Sequence, residues 1–150
     1  MKSQIEAVRR FNRFYTREIG VLREGLLDSP FSLTEVRIMY ELSDRRNVTA
    51  AALGIDLGLD RGYLSRTLKS FERRGLIKRT QSQQDKRHRF LALTSKGRKV
   101  FDPLNKRAQN EVRQLLSTLS RSEREKLIEA METIQHLIAR ARYIPLGEWL

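Results

Sequence analysis

The sequence predicts a mostly α-helical chain with one small β-hairpin, and three observations support that prediction. Apolar residues recur at steps of three or four along most of the 150 residues, which is the period of an α-helix. Residues that cap helix N-termini precede these runs, namely Ser32, Thr49, Asp60, Thr94 and Ser120. Between Leu76 and Leu93 the pattern changes to two short strand-like runs around a polar turn.

Residues 3–27 are predicted to form a long first helix, because their apolar side chains keep a helical spacing throughout. Three aromatic residues, Phe11, Phe14 and Tyr15, add bulk to this helix. They either pack against the rest of the protein or line a ligand pocket. A helix of this length at the end of a small chain lies across the core or pairs with a partner.

A second helix is predicted from Leu33 to about Ser43. Pro30 ends the first pattern, since the residue before a proline disfavours helical backbone angles. Ser32 and Glu35 have the spacing of a capping box, in which each side chain accepts a hydrogen bond from the other residue's backbone N–H.

The segment after the second helix is predicted to form helix, turn and helix. Thr49 caps the first of these helices, and Gly58 ends it because glycine adopts the left-handed conformation most easily. Asp60 caps the second helix, which runs to Gly75. Its apolar residues at i, i+4 and i+7 form one inward stripe, consisting of Leu64, Leu68 and Phe71.

Two short antiparallel strands are predicted next, at residues 76–80 and 88–93. The tip between them is polar and basic, and such a tip can reach a DNA minor groove or backbone. Asp85 is expected to orient Arg87 through a charge-assisted hydrogen bond. Residues from about 31 to 94 are therefore predicted to form a winged helix-turn-helix.

Two more helices are predicted after the hairpin. Thr94 caps the first, and Pro103 is expected to kink it or split it, because proline removes a helical hydrogen bond. The second begins with a capping box between Ser120 and Glu123.

The terminal helices, at about 3–27 and 95–142, exceed what a compact monomer needs and are predicted to form a two-fold helical interface. The alternative is packing of these helices within one chain. The tail, residues 143–150, ends on apolar side chains that either dock on a partner subunit or remain disordered.

Positive charge is concentrated in residues 61–99. This window holds thirteen Lys or Arg residues and two acids, Glu72 and Asp85, whereas the rest of the chain is almost neutral. The full chain carries a formal net charge of +12. A compact basic module of this kind is typical of a surface that binds a polyanion.

The outer face of the second helix of the helix-turn-helix has side chains that suit DNA. Arginine and lysine bind guanine edges or phosphates, serine binds either, and a glycine near the helix start permits close approach. The alternative is an ordinary solvated polar face. The predicted DNA-binding residues are Thr49, Arg61, Gly62, Tyr63, Ser65, Arg66, Lys69, Ser70, Arg73, Asp85, Arg87 and Arg89.

Several classes of protein are disfavoured by composition. The chain has no cysteine, so disulfides, thiol sensing and cysteine-based zinc sites are excluded. It has neither a long apolar run nor a signal-peptide pattern. No catalytic constellation, metal site or cofactor is predicted, and a cytoplasmic protein acting at the nucleoid is expected.

The chain resembles the MarR family of bacterial transcription regulators. The segments that carry the resemblance are TAAALGIDLGLDRGYLSRTLKSFERRGLI (49–77), the wing DKR (85–87) and LALTSKGRKVF (91–101). VRRFNRFYTREIGVL (8–22) and SPFSLTEVRIMYEL (29–42) more specifically resemble the MarR-type half of fusions with a GNAT acetyltransferase. In those fusions the enzyme domain would follow. This chain ends at Leu150 without a glycine-spaced pyrophosphate loop, so acetyltransferase activity is not expected.

The resemblance implies an obligate, triangular homodimer with interlocked terminal helices. Two recognition helices would enter major grooves about one turn, ~34 Å, apart on a pseudo-palindrome. Family members often bind phenolic or anionic effectors between the dimerisation helices and the DNA lobes. Residues of this chain that such a cleft could use are Arg9, Phe11, Arg13, Tyr15 and Tyr40.

The sequence thus predicts a sequence-specific, homodimeric DNA-binding regulator, a ligand-responsive repressor. Two alternatives use the same residues differently. A non-specific nucleoid-associated or RNA-binding winged helix would share the charge distribution but would prefer no site. An enzyme would need a nucleophile with its base, a metal cluster or a phosphate loop, and the sequence displays none of these.

Overall fold

The computed structural model describes residues 1–20 and 29–142, and these form six α-helices and one two-stranded antiparallel sheet. In chain order the elements are α1 (Lys2–Glu18), α2 (Leu33–Asp44), α3 (Ala50–Leu57), α4 (Arg61–Arg73), β1 (Ile77–Gln81), β2 (Arg89–Leu93), α5 (Ser95–Ser117) and α6 (Arg121–Arg142). The mostly helical class with one hairpin is confirmed. The chain divides into two compact units between Ala108 and Gln109, within α5.

Helix α1 is shorter than the predicted helix over residues 3–27. It ends at Glu18, and Gly20 follows with φ +75°, a left-handed conformation that terminates helices. The remainder of the predicted helix, residues 21–27, lies outside the described residues, as does the tail 143–150. None of the residues of α1 is buried, and its apolar stripe faces solvent.

The capping predictions for the next three helices are confirmed. The Ser32 hydroxyl accepts from the Glu35 N–H at 3.2 Å, and the Glu35 carboxylate accepts from the Ser32 N–H at 3.2 Å. Thr49 Oγ1 accepts from the Ala52 N–H at 3.1 Å. At α4 the cap is Asp60, whose carboxylate accepts from a backbone N–H at 2.8 Å. These bonds satisfy N–H groups that the helices themselves leave without partners.

The core of the first unit is assembled from α2, α3, α4, the hairpin and the first turns of α5. Its buried side chains include the predicted stripe Leu64, Leu68 and Phe71, and also Ile38, Met39, Leu42, Val48, Leu53, Leu76 and Phe101. Phe71 also meets the ring of Phe31 edge-on at 6.3 Å. The burial of one α4 face against this core sets which α4 side chains point outward.

The hairpin forms the predicted wing, with strand ends within one residue of expectation. Ile77 pairs with Leu93 and Gln81 with Arg89. Leu76 falls just outside β1 because its N–H donates to the Phe71 carbonyl and closes the end of α4. A single bridge from Val48 to the strand β2, with an N–H···O distance of 2.7 Å, ties the helix-turn-helix to the wing.

Thr94 joins the end of the recognition segment to the start of α5. Its hydroxyl donates to the Gly75 carbonyl and accepts from the Gly97 N–H at 3.0 Å. Its own N–H donates to the Leu76 carbonyl at 3.0 Å. The predicted cap is confirmed, and it also brings the backbone of α5 against the turn that follows α4.

Pro103 does not split α5, which runs without a break from Ser95 to Ser117. Proline removes one helical hydrogen bond and costs roughly 3 kcal/mol within a helix. Phe101 and Leu104 are buried on either side of it, and their burial offsets that cost. The predicted split is therefore wrong, whereas its alternative, a kink at Pro103, stays a prediction.

In the second unit, α6 begins with the predicted capping box. Ser120 and Glu123 each accept from the other's backbone N–H, at 3.2 and 2.8 Å. These bonds hold the pKa of Glu123 below its ordinary value. None of the residues of α6 is buried, and most of its apolar side chains are exposed, with Leu127 half-buried. No helix in the described residues is long and apolar enough to cross a membrane.

Replacement of Gly97 by alanine is expected to destabilise the fold severely. A Cβ there would lie 2.0 Å from the Leu76 carbonyl oxygen, so the backbone of α5 would have to move and break the Thr94 junction. We expect a loss of at least about 3 kcal/mol in the free energy of unfolding. Urea denaturation at a fixed protein concentration measures it.

Gly58→Ala is the matched control. Gly58 has φ +62° but open space around its Cβ position, so the variant suffers backbone strain without a clash. Its expected cost is about 1 kcal/mol. Equal losses for the two variants would show that the close approach at Gly97 does not matter.

Candidate nucleic-acid interface

The outer face of α4 is open and basic. Arg66, Lys69 and Arg73 have exposed side chains and line a shallow groove along the helix with Glu72. Near the helix start, a Cβ on Gly62 would lie 3.2 Å from both an Arg66 guanidinium nitrogen and an Asp60 carboxylate oxygen. The absence of a side chain at Gly62 therefore leaves room for Arg66 beside the capping carboxylate.

Most of the cations between residues 61 and 99 are free to meet an external anion. Eleven of the thirteen are exposed and form no ion pair within the described residues. These eleven are Arg61, Arg66, Lys69, Arg73, Arg74, Lys78, Lys86, Arg89, Lys96, Arg98 and Lys99. Unpaired positive charge at this density favours a polyanionic partner, because internal ion pairs do not neutralise it.

The two acids in this window are both engaged by arginines. Glu72 on α4 accepts from Arg79 Nε at 2.8 Å, with the two side chains 34% and 28% exposed. This ion pair connects α4 to the first strand of the wing. A half-buried geometry is screened less than a fully exposed one, so it favours a fixed orientation between the two elements.

At the wing tip, Asp85 holds Arg87 as predicted. Its carboxylate accepts from the Arg87 backbone N–H at 3.0 Å and from two guanidinium nitrogens at 3.1 Å. The bonds from the Arg87 side chain, and next from its backbone, hold the pKa of Asp85 below its ordinary value. The rest of the guanidinium projects into solvent, since the Arg87 side chain is 89% exposed.

The tip is further fixed by bonds among its own residues. Ser82 is buried, and its hydroxyl accepts from the N–H groups of Gln84 and Asp85 at 3.3 and 3.2 Å. The Gln81 amide donates to the Lys86 carbonyl at 2.7 Å. An ordered tip presents Arg87 at lower entropic cost than a flexible loop does.

The predicted DNA-binding residues differ in their exposure. Eight are exposed: Arg61, Gly62, Ser65, Arg66, Lys69, Arg73, Arg87 and Arg89. Four are half-buried: Thr49, Tyr63, Ser70 and Asp85. The hydroxyl of Thr49 caps α3, and the carboxylate of Asp85 binds Arg87, so both side chains have a structural role that does not depend on a ligand.

The predicted effector residues form two separate groups. On α1, the rings of Phe11 and Tyr15 stack at 5.7 Å, and Arg13 pairs with Glu6 at 3.0 Å. Tyr40 lies on α2, where its ring meets Phe101 edge-on at 6.5 Å. No ring contact, hydrogen bond or ion pair among the described residues joins the α1 group to Tyr40, so a shared effector cleft stays a prediction.

The sequence-based prediction did not include the ion pairs that Arg45 forms between α2 and α3. Arg45 donates to Asp56 of α3 at 2.7 Å and to Glu41 of α2 at 3.3 Å, and Glu41 also pairs with Arg37 at 2.7 Å. The bonds to Asp56, and then to Glu41, raise the pKa of Arg45. The i, i+4 spacing of Arg37, Glu41 and Arg45 was the available signal.

A second unpredicted feature is a groove between α3 and α4. Its walls comprise Ala50, Ala51, Gly54, Ile55, Leu59, Arg61, Leu64, Ser65 and Leu68, with Arg79 from the wing. The described residues contain no cluster of three or more His, Cys, Asp or Glu side chains that could hold a metal ion.

Residues 31–88 match the MarR family model. The transcriptional regulator SarZ of Staphylococcus saprophyticus is 28% identical over 101 residues, which are 67% of this chain and 66% of that protein. The transcriptional repressor MprA of Escherichia coli K12 is 31% identical over 90 residues, which are 60% of this chain and 51% of the repressor. The chain thus spans about two thirds of one relative and about half of the other. The first is named as a transcriptional regulator and the second as a transcriptional repressor.

The fold is shared with solved structures over nearly the whole chain. Streptococcus pneumoniae FabT, solved in complex with DNA, superposes with a TM-score of 0.72 at 20% identity, covering 93% of this chain and 97% of that one. At this identity the likeness concerns the fold alone. Together with the helix-turn-helix and wing described above, the match over residues 31–88 and the shared fold show that the chain is similar to winged helix-turn-helix proteins of the MarR family.

Proposed function

We propose that the protein is a homodimeric transcription regulator that binds a specific, pseudo-palindromic DNA site. The observation that carries the proposal is the set of eleven exposed, unpaired cations on and around α4 and the wing. Within the described residues, none of these eleven cations pairs with a carboxylate. The names of the relatives, both transcriptional regulators, support the same class of function.

Within this surface, the residues divide into those that specify sequence and those that hold the backbone. Arg66 and Ser65 are the first candidates for base contact because they are exposed in the N-terminal half of α4, with Tyr63 and Lys69 next. The remaining arginines, Arg61, Arg73, Arg87 and Arg89, are assigned to phosphates or, for the wing, to the minor groove.

The dimer would form through the terminal helices. Helix α1 exposes Ile5, Val8 and Phe11 on one side, and α6 exposes an apolar series at helical spacing. That series comprises Ile128, Met131, Ile134, Leu137 and Ile138. Exposed apolar stripes on two helices are costly in water and are typical of surfaces that pair.

Repression by promoter occlusion and release by a small effector complete the proposal. MprA is named as a repressor, and FabT is solved with DNA. The residues assigned to an effector are those predicted on α1 and α2, and a bound effector would act by changing the relative positions of the two recognition helices. The resemblance of residues 8–22 and 29–42 to MarR–GNAT fusions stays a prediction.

Selection of bound duplexes from a random DNA library at near-physiological salt tests the proposed function. The expected outcome is an enriched inverted repeat with about one helical turn between half-site centres, bound by two chains in native mass spectrometry. Failure to enrich any sequence would favour the non-specific nucleoid or RNA-binding alternative, and a competing RNA included in the selection separates those two.

Arg66→Ala and Arg73→Ala are expected to affect DNA binding in different ways. Loss of a base contact at Arg66 should cost about 1–3 kcal/mol on the selected site and relax the preference at one position. Loss of a phosphate contact at Arg73 should weaken selected and shuffled duplexes alike. Fluorescence anisotropy on both duplexes measures the difference. If Arg66→Ala binds both duplexes as tightly as the wild type does, Arg66 does not contact a base, and the proposed orientation of α4 towards the bases is wrong.

Val8→Glu is expected to break the dimer. Val8 is 60% exposed on the apolar stripe of α1, so a carboxylate there would be buried unpaired between subunits while leaving the isolated fold intact. Sedimentation equilibrium should change from two chains to one, and operator affinity should fall in parallel.

Ser3→Glu introduces the same charge on the opposite side of α1 and serves as the control. It should remain dimeric, with unchanged affinity for the operator. A Val8→Glu variant that stays dimeric would remove α1 from the proposed interface.

A further inference from the structure

Ile55 is the most exposed large apolar side chain in residues 29–94. In residues 29–94, three large hydrophobic side chains are exposed: Leu33 at 40%, Tyr40 at 42% and Ile55 at 80%. The packing face of α3 is made by Ala50, Leu53 and Leu57, so Ile55 contributes nothing to the core. An isoleucine this exposed does not stabilise the folded state by burial, so we infer that it contacts a binding partner.

The position of Ile55 relative to α4 indicates which partner that is. It shares one open groove with Arg61 and Ser65, two exposed residues at the start of α4. A Cβ on Gly54 would lie 3.3 Å from a Leu64 methyl carbon, so the two helices are already in close contact at that point. Ile55 therefore stands at the edge of the same surface that carries the base-contacting candidates.

The adjacent Asp56 does not make this edge acidic. Its carboxylate accepts from Arg45 at 2.7 Å, which neutralises it locally and also holds the C-terminal half of α3 to the end of α2. The charge around the groove is accordingly positive. A second copy of this chain would bring its own positive groove against it, so like charges would oppose that contact, whereas DNA would not.

We propose that Ile55 is a specificity-determining residue that contacts a thymine methyl group at the edge of each half-site. The thymine methyl is the apolar feature that base pairs display in the major groove, and aliphatic side chains recognise it. Arg61 beside it binds the adjacent phosphate, and Ser65 faces the neighbouring base edge. This inference rests on the proposed function and adds a base preference that the cationic residues cannot supply.

A double-mutant cycle between protein and DNA tests the contact. Each thymine of the selected operator is replaced in turn by deoxyuridine, which removes only the methyl group. Wild type and Ile55→Ala are titrated on every duplex. At one thymine in each half-site, methyl removal should weaken wild-type binding about fourfold, the equivalent of exposing one methyl group, and should not weaken Ile55→Ala further.

Leu33→Ala provides the matched control, because it removes an exposed aliphatic side chain from α2, outside the groove. It should keep the wild-type response at every deoxyuridine position. Ile55→Ala should also fold normally, since the side chain is largely in water and alanine favours helices. Thermal unfolding of both variants verifies this.

The outcomes separate the inference from the function on which it rests. If operator binding is retained but no thymine methyl is coupled to Ile55, the contact proposed for Ile55 is refuted while the regulator stands. A methyl dependence that is identical in wild type and Ile55→Ala refutes it equally. If selection yields no operator, the proposed function fails first, and the contact fails with it.

Discussion

The burial of one face of α4 is the constraint on which the surface chemistry depends. Leu64, Leu68 and Phe71 are almost fully buried, and each buried side chain of this size contributes about 1.5–3 kcal/mol. An exposed ion pair contributes at most about 1 kcal/mol, so no arrangement of the outer cations could rotate the helix against that burial. The direction in which Arg66, Lys69 and Arg73 point thus follows from apolar packing on the opposite face of α4, not from their own interactions.

The junction at Thr94 is the next constraint, because it joins the end of α4 to the start of α5. One side chain bonds the carbonyl that ends the recognition segment and the N–H that begins α5. Gly97 permits the close approach that these bonds require. These bonds hold the first turn of α5 in a fixed position relative to the end of α4.

Local signals made the helices and the wing predictable from the sequence. The caps at Ser32, Thr49 and Asp60 act within four residues, and the period of the α4 stripe was explicit, so their burial and bonds could be inferred directly. The Asp85–Arg87 contact, two residues apart, was predictable for the same reason. The split expected at Pro103 does not occur, because burial of the neighbouring side chains outweighs the local penalty of proline. The sequence alone does not display that burial.

Features that depend on distant parts of the chain could not be predicted in this way. The ion pair between Glu72 and Arg79 and the bond from Arg45 to Asp56 join separate elements, and many cations were available to each acid. The exposure of Ile55 could not be predicted either, because an isoleucine within a short apolar helix is ordinarily assigned to the core. These long-range features determine how α3, α4 and the wing are held in one arrangement.

Together these constraints organise the charge of the surface, and we propose that the surface distinguishes DNA sequences in addition to attracting phosphate. Titration with salt of binding to the selected operator and to a shuffled duplex of equal length tests that claim most directly. Both affinities are expected to fall linearly on logarithmic axes, while the operator keeps an advantage of roughly a thousandfold or more near physiological salt. Coincident curves for the two duplexes would contradict it, since the surface would then bind backbone charge alone.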